Sequence, residues 1–176
     1  MRNAIKLAVL LWALPAAAAA LEVTGTAPAS VKGAAKADFF LSGLAVKGVS
    51  FEGGAVVLPV SQVNDRVYSD VKLLSRALYG KLETCFRSGC ARPGRAAAPA
   101  VKLEELKPLK SKSRVANAEV SFDGDLLVVL GVMASYRDPD EFWVAFPASV
   151  EFRDAGLKAA VERTVREAWA RSQAKK

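Results

Sequence analysis

Histidine is missing from this chain of 176 residues, and cysteine is nearly so, with Cys85 and Cys90 its two representatives. Without histidine the chain lacks the commonest general base and the commonest metal ligand. It also has no Gly-rich phosphate loop and no Ser/His/Asp set. These absences predict a non-enzymatic protein without catalytic residues, metal sites or cofactors, although serine–lysine chemistry stays open from composition alone.

Long apolar runs are also scarce, and the one at the N-terminus predicts export. Arg2 and Lys6 give it a positive start, residues 4–14 form an apolar stretch, and the small residues Ala16–Ala20 follow. This order is typical of a secretory signal peptide. We therefore expect residues 1–20 to be a signal peptide, the mature chain to begin between Ala19 and Leu21, and the protein to be periplasmic or secreted.

An uncleaved membrane anchor is the alternative for this segment, but its apolar run is short for a membrane span of about 20 residues. No later segment is apolar enough to cross a bilayer, so the mature protein is expected to have no transmembrane segment. The full chain has 25 Lys and Arg against 18 Asp and Glu. This mild basic excess permits an anionic partner without requiring one.

The two cysteines stand in the segment Cys-Phe-Arg-Ser-Gly-Cys. In an exported protein such a pair predicts a disulfide. It would close a small loop at the end of a predicted helix, with Gly89 as a left-handed cap. A redox or metal site is the alternative, but two thiols without histidine make a poor zinc site, and the spacing is not Cys-x-x-Cys.

One sequence pattern occurs twice in the chain. Residues 54–61 and 142–149 are each an apolar run that ends in proline, a small residue and serine. Each run is followed by an aromatic residue two positions before an aspartate, at Tyr68-Ser69-Asp70 and at Phe152-Arg153-Asp154. We interpret the pattern as an internal duplication, because two related units can pack on each other as the subunits of a homodimer do.

The predicted organisation follows from this duplication. A signal peptide (1–20) precedes a first unit (21–89), a basic, Pro- and Ala-rich linker (90–100), a second unit (101–172) and a basic tail (173–176). The predicted fold class is α+β. Each unit is a small antiparallel β-sheet with a C-terminal helix, and the two units pack as a pseudo-dimer within a monomeric chain.

Local patterns position the elements of each unit. Turn residues at Ser42-Gly43 and Asp123-Gly124 predict β-hairpins. Helical spacing of apolar residues predicts one helix that begins at Ser69 or Asp70 and another that begins at Asp154. We expect the aspartates to cap these helices rather than to catalyse a reaction. The expected buried helix positions are Val71, Leu74, Leu78, Leu82 and Cys85, then Leu157, Val161, Val165 and Trp169. Trp143 is expected to face the core, and Leu44, Val46, Val128 and Val129 to line the interface between the units.

Four segments of the second unit form a characteristic series: Val101–Leu106, Ala118–Asp123, Phe142–Pro147 and Glu151–Asp154. The series resembles the stage V sporulation protein G (septation regulator) family, in which a hydrophobic strand with a Met-Pro-Ser-like end is followed by Phe-Arg-Asp and an Ala/Val-rich helix. The first unit resembles it more faintly. The resemblance implies a small α+β domain with a curved antiparallel sheet that dimerises and binds nucleic acid. The uncharged residues after both Pro steps and the export segment depart from that family.

Seven basic residues are candidates for binding an anion or a nucleic acid: Lys107, Lys110, Lys112, Arg114, Arg153, Arg163 and Arg166. The first four form a cluster with no acid among them, for which a solvated loop is the alternative interpretation. On the terminal helix, Glu162 and Glu167 stand four residues before Arg166 and Arg171, the favourable orientation for helix ion pairs. Part of that positive charge is therefore expected to be balanced within the helix.

These observations lead to two hypotheses about function. The first is an exported, non-enzymatic binding protein that contacts an unidentified protein or a component of the cell envelope. The second is a nucleic-acid-binding regulator related to septation or sporulation control, which the export segment disfavours. An enzyme is a more distant third.

Replacing both Cys85 and Cys90 with serine is expected to lower the free energy of unfolding only modestly, by about 2 kcal/mol, because a short loop loses little entropy when it is closed. Urea unfolding of the two proteins measures the difference. Two free thiols in material purified from the envelope would contradict the predicted disulfide.

Overall fold

A computed structural model describes residues 21–91, 96–137 and 141–174 of the chain. The predicted signal peptide lies outside these ranges, as do residues 92–95 of the predicted linker, residues 138–140 and Lys175 and Lys176 of the predicted tail. In the described part of the chain, neither helix has the length and apolar character that crossing a membrane requires.

The described residues form twelve strands and two helices, an antiparallel α+β architecture that confirms the predicted fold class. The first half contains β1 (Val23–Ala27), β2 (Lys36–Leu41), β3 (Leu44–Glu52), β4 (Ala55–Val57), β5 (Ser61–Val63), β6 (Arg66–Tyr68), β7 (Val71–Leu73) and α1 (Arg76–Ser88). The second half contains β8 (Val101–Pro108), β9 (Arg114–Phe122), β10 (Leu126–Ala134), β11 (Phe142–Ala145), β12 (Val150–Phe152) and α2 (Ala155–Gln173).

Each half builds a sheet, and each sheet also includes a strand from the other half. The first sheet has the order β1-β2-β3-β12, with β4 also paired to β3. The second has the order β11-β10-β9-β8, with β7 also paired to β10. The exchanged strands are therefore β12, which the second half adds to the first sheet, and β7, which the first half adds to the second sheet.

The two exchanges use the same register. In the first sheet, Leu44 and Val46 lie opposite Phe152 and Val150. In the second sheet, Leu126 and Val128 lie opposite Leu73 and Val71. In both cases the partner of β7 or β12 is the first three residues of a central strand. Three of the residues expected at the interface between the units, Leu44, Val46 and Val128, therefore pair with strands of the other half. The internal duplication itself stays a prediction.

Backbone hydrogen bonds extend both exchanges beyond the strands. The Lys47 amide donates to the Ser149 carbonyl, and the Val129 amide donates to the Asp70 carbonyl, each over 2.7 Å. Charged side chains also cross between the halves. Lys47 pairs with Glu151 at 2.5 Å, and this contact lowers the pKa of the Glu151 carboxyl, chiefly through its hydrogen bond.

The first helix begins later than its apolar periodicity predicted. Ser75, not Ser69 or Asp70, is its N-cap, and its hydroxyl accepts from the Leu78 amide over 3.1 Å. Neither Val71 nor Leu74 is on the helix, because Val71 belongs to β7 and Leu74 lies between β7 and the cap. The Leu74 side chain is 47% exposed and not buried as predicted. The prediction was wrong because residues 71–74 pair with a distant strand, and that long-range pairing outweighs the local periodicity.

The second helix begins where it was predicted. Asp154 caps α2 by accepting from the Leu157 amide over 2.8 Å, an arrangement that typically contributes about 1 kcal/mol. In both halves the exchanged strand, one linking residue and the cap follow in that order, so Ser75 is the counterpart of Asp154. Gly43 allows the close approach at this point, because a Cβ on it would lie 3.1 Å from the Cβ of Asp154.

One apolar core runs through both sheets and both helices. Phe39 of β2 meets Phe86 of α1 edge to face, with ring centroids 5.3 Å apart, and Phe122 of β9 lies 6.1 Å from Phe152 of β12. The predicted disulfide between Cys85 and Cys90 is confirmed and closes the loop after α1. Gly89 caps this helix with φ 93° and ψ 150°, so its φ is positive but its conformation is not the left-handed helical one expected.

Replacing Val71 with alanine is expected to lower the free energy of unfolding of the whole chain by about 2 kcal/mol, because it removes buried methyl groups from the exchanged strand. Trp143 and Trp169 report on the second half, and far-UV circular dichroism reports on both halves. We expect one shared urea transition, shifted equally in both measurements. Val67→Ala, on a side chain that is 65% exposed, is the control and should leave the midpoint unchanged. A tryptophan midpoint that does not move in Val71→Ala would contradict the coupling of the halves.

Candidate binding groove

A small hairpin distinguishes the first half from the second. Strands β5 and β6 form a two-stranded sheet of their own, between Pro59 and β7. The turn residues Asn64 and Asp65 both have positive φ, 47° and 62°, which is the backbone that two-residue hairpin turns require. In the second half, Pro147 is followed within three residues by β12, so no hairpin stands at the corresponding place.

A groove of about 710 Å³ lies between this hairpin and the second sheet, a size typical of ligand sites. We call it the hairpin groove. Its lining from the first half is Ser61, Val63, Tyr68, Ser69 and Asp70. Its lining from the second half is Lys107, Leu109, Arg114, Asn117, Glu119, Val129 and Pro147. The exchange of β7 brings these two sets together, because β7 continues directly from the hairpin and lies in the second sheet.

A β-bulge brings Arg114 to the hairpin groove. Asn117 lies opposite Gly131 and Arg114 lies opposite Met133, and the register shifts by one residue between these pairs. Arg114 and Asn117 are three positions apart, so regular alternation would place them on opposite faces of β9. The extra residue, Val115, restores them to one face. Bulges that redirect a side chain in this way are common next to functional sites.

Two buried polar atoms of the hairpin groove have no hydrogen-bond partner in the described part of the chain: Nε of Arg114 and Oδ1 of Asn117. One is a donor and the other an acceptor. The Arg114 guanidinium lies over Gly131, where a Cβ would come within 3.0 Å of Nε and 3.3 Å of Cζ. Buried polar atoms are nearly always paired, so this donor and this acceptor distinguish Arg114 and Asn117 from the other residues that line the groove.

The charges that line the hairpin groove are of both signs. Lys107 pairs with Glu105 at 2.6 Å and lies 4.0 Å from Glu119. The hydrogen bond and the charge of Glu105 raise the pKa of the Lys107 ammonium. Asp70 accepts a hydrogen bond from the Ser61 hydroxyl over 2.5 Å. The groove is therefore not a uniformly positive surface: Lys107 belongs to a segment without acids in the sequence, yet Glu105 and Glu119 lie beside it in the fold.

Apolar side chains complete the lining of the hairpin groove. Val63 is 55% exposed, Tyr68 44% and Leu109 40%. Val63 and Tyr68 lie on the same face of the hairpin as Ser61, since the side chains of a strand alternate. These exposed side chains offer apolar contact area at the mouth of a groove whose floor is polar.

The remaining basic candidates are held by different elements. Lys110 and Lys112 are exposed in the loop between β8 and β9. Arg153 lies over the Phe40 ring of the first sheet, with its guanidinium carbon 4.2 Å from the centroid. Arg163 is exposed on α2, and Arg166 lies 6.0 Å from the centroid of Phe142. Of the seven predicted residues, the hairpin groove brings together Lys107 and Arg114.

The ion pairs expected on α2 are half right. Arg171 and Glu167 approach to 3.8 Å, as predicted. Glu162 instead pairs with Lys158 at 3.8 Å, and the Arg166 guanidinium lies near the Phe142 ring. Trp143 was wrongly assigned to the core and is 45% exposed, while its neighbour Val144 is buried. Successive side chains of a strand point to opposite faces, so an error of one residue exchanges the buried and exposed positions.

Sequence analysis did not identify Asn117, Ser61 or Tyr68 as site residues. The turn residues Asn64-Asp65 between two Val-containing stretches are a hairpin pattern that could have indicated one wall of the groove. The bulge in β9 has no comparable sequence pattern. No described group of three or more acidic or cysteine side chains could hold a metal ion. The residues that line the hairpin groove offer hydrogen-bonding groups and apolar side chains.

Searches of protein-family models, curated proteins and solved structures each found no match to this chain.

Proposed function

We propose that this chain is an exported, non-enzymatic binding protein whose hairpin groove holds an extended segment of a partner protein. The observation that carries the proposal is the lining of the groove, in which the polar side chains of Arg114 and Asn117 lie beside exposed apolar side chains. A peptide group carries one carbonyl acceptor and one N–H donor, and the Arg114 guanidinium and the Asn117 amide are side chains that can pair with such groups.

The rest of the lining suits the same occupant. Val63, Tyr68 and Leu109 are exposed and can contact apolar side chains of the bound segment. Lys107 and Glu119 offer charges of both signs within one groove. A polypeptide that alternates apolar and charged residues satisfies this mixture, and the groove is of a size that takes a short stretch of one.

A nucleic acid fits this groove less well. A phosphate backbone is attracted by a continuous basic surface, whereas Asp70 and Glu119 line the hairpin groove beside Arg114. The other basic candidates lie against separate elements. This distribution favours the protein-binding hypothesis over the nucleic-acid hypothesis that the family resemblance suggested.

Export is the second component of the proposal. The N-terminal segment has the order of a signal peptide, and the disulfide between Cys85 and Cys90 suits an oxidising compartment. We further propose that the protein acts as a monomer, because the strand exchange already pairs the two halves within one chain.

Selection of random dodecapeptides on the immobilised mature protein tests the groove. We expect selected peptides to bind the unaltered protein and to lose affinity about tenfold or more in Arg114→Gln and in Asn117→Ala, because each change removes one hydrogen-bonding partner. Fluorescence anisotropy with synthetic labelled peptides measures the dissociation constants. Arg163→Gln removes the same charge from exposed α2 surface and should bind as the unaltered protein does.

Two results would contradict the proposal. One is that no peptide is enriched above protein-free controls. The other is that enriched peptides bind both groove variants with unchanged affinity. The nucleic-acid hypothesis is tested in parallel with labelled single-stranded and duplex DNA at low salt. DNA binding that is weakened in Lys110→Gln but unchanged in Asn117→Ala would favour the nucleic-acid regulator.

A further inference from the structure

Leu21, two residues before β1, is held in place by the second half of the chain. Leu21 is fully buried, with 0% of its surface exposed. Its backbone nitrogen donates a hydrogen bond of 2.8 Å to Oδ2 of Asp125, a contact that spans 104 positions of sequence. Asp125 immediately precedes β10 and is itself 6% exposed. The start of the first half is thus held by a buried carboxylate of the second half.

The Asp125 carboxylate has no cationic side chain as a partner within ion-pair distance among the described residues. Its backbone is held separately, by a hydrogen bond from its own amide to the Phe122 carbonyl. A buried carboxylate is costly unless a positive charge or several hydrogen bonds compensate it. One backbone N–H from Leu21 is little compensation, so the site lacks a positive charge.

Neighbouring contacts fix the backbone of Leu21 in place. The Lys81 ammonium on α1 donates to the Leu21 carbonyl over 2.9 Å and to the Glu22 carboxylate over 2.8 Å. The Glu22 amide donates to the Ser42 hydroxyl over 3.1 Å, and the Ser42 amide donates to the Glu22 carbonyl over 3.2 Å. The backbone that follows the Leu21 nitrogen is therefore held by contacts that do not involve Asp125.

We propose that the peptide bond between Ala20 and Leu21 is the processing site, and that the α-ammonium group released on Leu21 forms a buried ion pair with Asp125. Hydrolysis adds water across the bond. The new carboxylate leaves with Ala20, and the Leu21 nitrogen gains protons to become a cation at the position where the Asp125 carboxylate lacks one. The proposal rests on the proposed export, since a signal peptidase is the hydrolase that would act here.

The residues before the bond suit this cleavage, because Ala18 and Ala20 provide the small side chains of an A-x-A site. The pairing gives processing a consequence for folding. Before cleavage Leu21 offers Asp125 a neutral N–H, and after cleavage it offers a charged donor, which makes a shorter and stronger hydrogen bond. The mature protein is then more stable than the same fold with any extension at its N-terminus.

Defined N-termini test the ion pair without any export step. The chain beginning at Leu21 is prepared with a free amine, with an acetylated amine, and with Ala20 added before it. We expect the free amine to give the highest melting temperature and the other two to melt about 5 °C lower, as the loss of one buried charge pair implies for a chain of this size. In Asp125→Asn the three forms should melt together. Asp123→Asn is the matched control, since the Asp123 carboxylate accepts from the Ala100 amide and not from Leu21. In this variant the free amine should still melt at a higher temperature than the other two forms.

Equal melting temperatures for the free and acetylated forms, with Asp125 intact, would overturn the ion pair. If Asp125→Asn does not fold, the rate of acetylation of the α-amine near neutral pH replaces it: the Leu21 amine should react much more slowly than the amine of the Ala20 extension, and equal rates would overturn the proposal. Mass spectrometry of exported protein tests the bond. A mature chain that begins at any residue other than Leu21 would overturn the cleavage site. Retention of Met1 would overturn the proposed export, and the melting temperatures of the defined N-termini would then decide whether the ion pair forms.

Discussion

The reciprocal exchange of β7 and β12 is the constraint on which the rest of this molecule depends. Each is a three-residue strand, too short to form a stable sheet within its own half. Each finds its partner on the leading end of a central strand in the other half and is then held in place by the helix that follows. Neither sheet is complete without the other half, and the shared apolar core follows from that arrangement.

The hairpin groove is a product of the same exchange. The hairpin of β5 and β6 belongs by sequence to the first half. It lies next to the second sheet because β7, which follows it directly, pairs with β10 of that sheet. The bulge in β9 then directs Arg114 towards it. Residues that line the groove come from two distant parts of the sequence and are brought to one place by main-chain pairing.

The parts of this structure that depend on short-range chemistry could be predicted, and those that depend on long-range pairing could not. The turns at Ser42-Gly43 and Asp123-Gly124, the cap at Asp154 and the disulfide each involve residues close in sequence. Residues 71–74 were assigned to a helix because their apolar spacing fits one, and only their pairing with β10 makes part of them a strand. Arg114 was selected for its charge, whereas its role in the site comes from a register shift that has no sequence pattern of its own.

The hairpin of β5 and β6 also makes the two halves of the molecule unequal. In a twofold homodimer every insertion occurs twice, and any groove it makes occurs twice. Here two halves with matched strand exchange are joined in one polypeptide, and the insertion before β7 has no counterpart before β12. A single chain can therefore carry the hairpin groove beside one of its two exchanged strands and not beside the other, an asymmetry that a homodimer of identical subunits does not have.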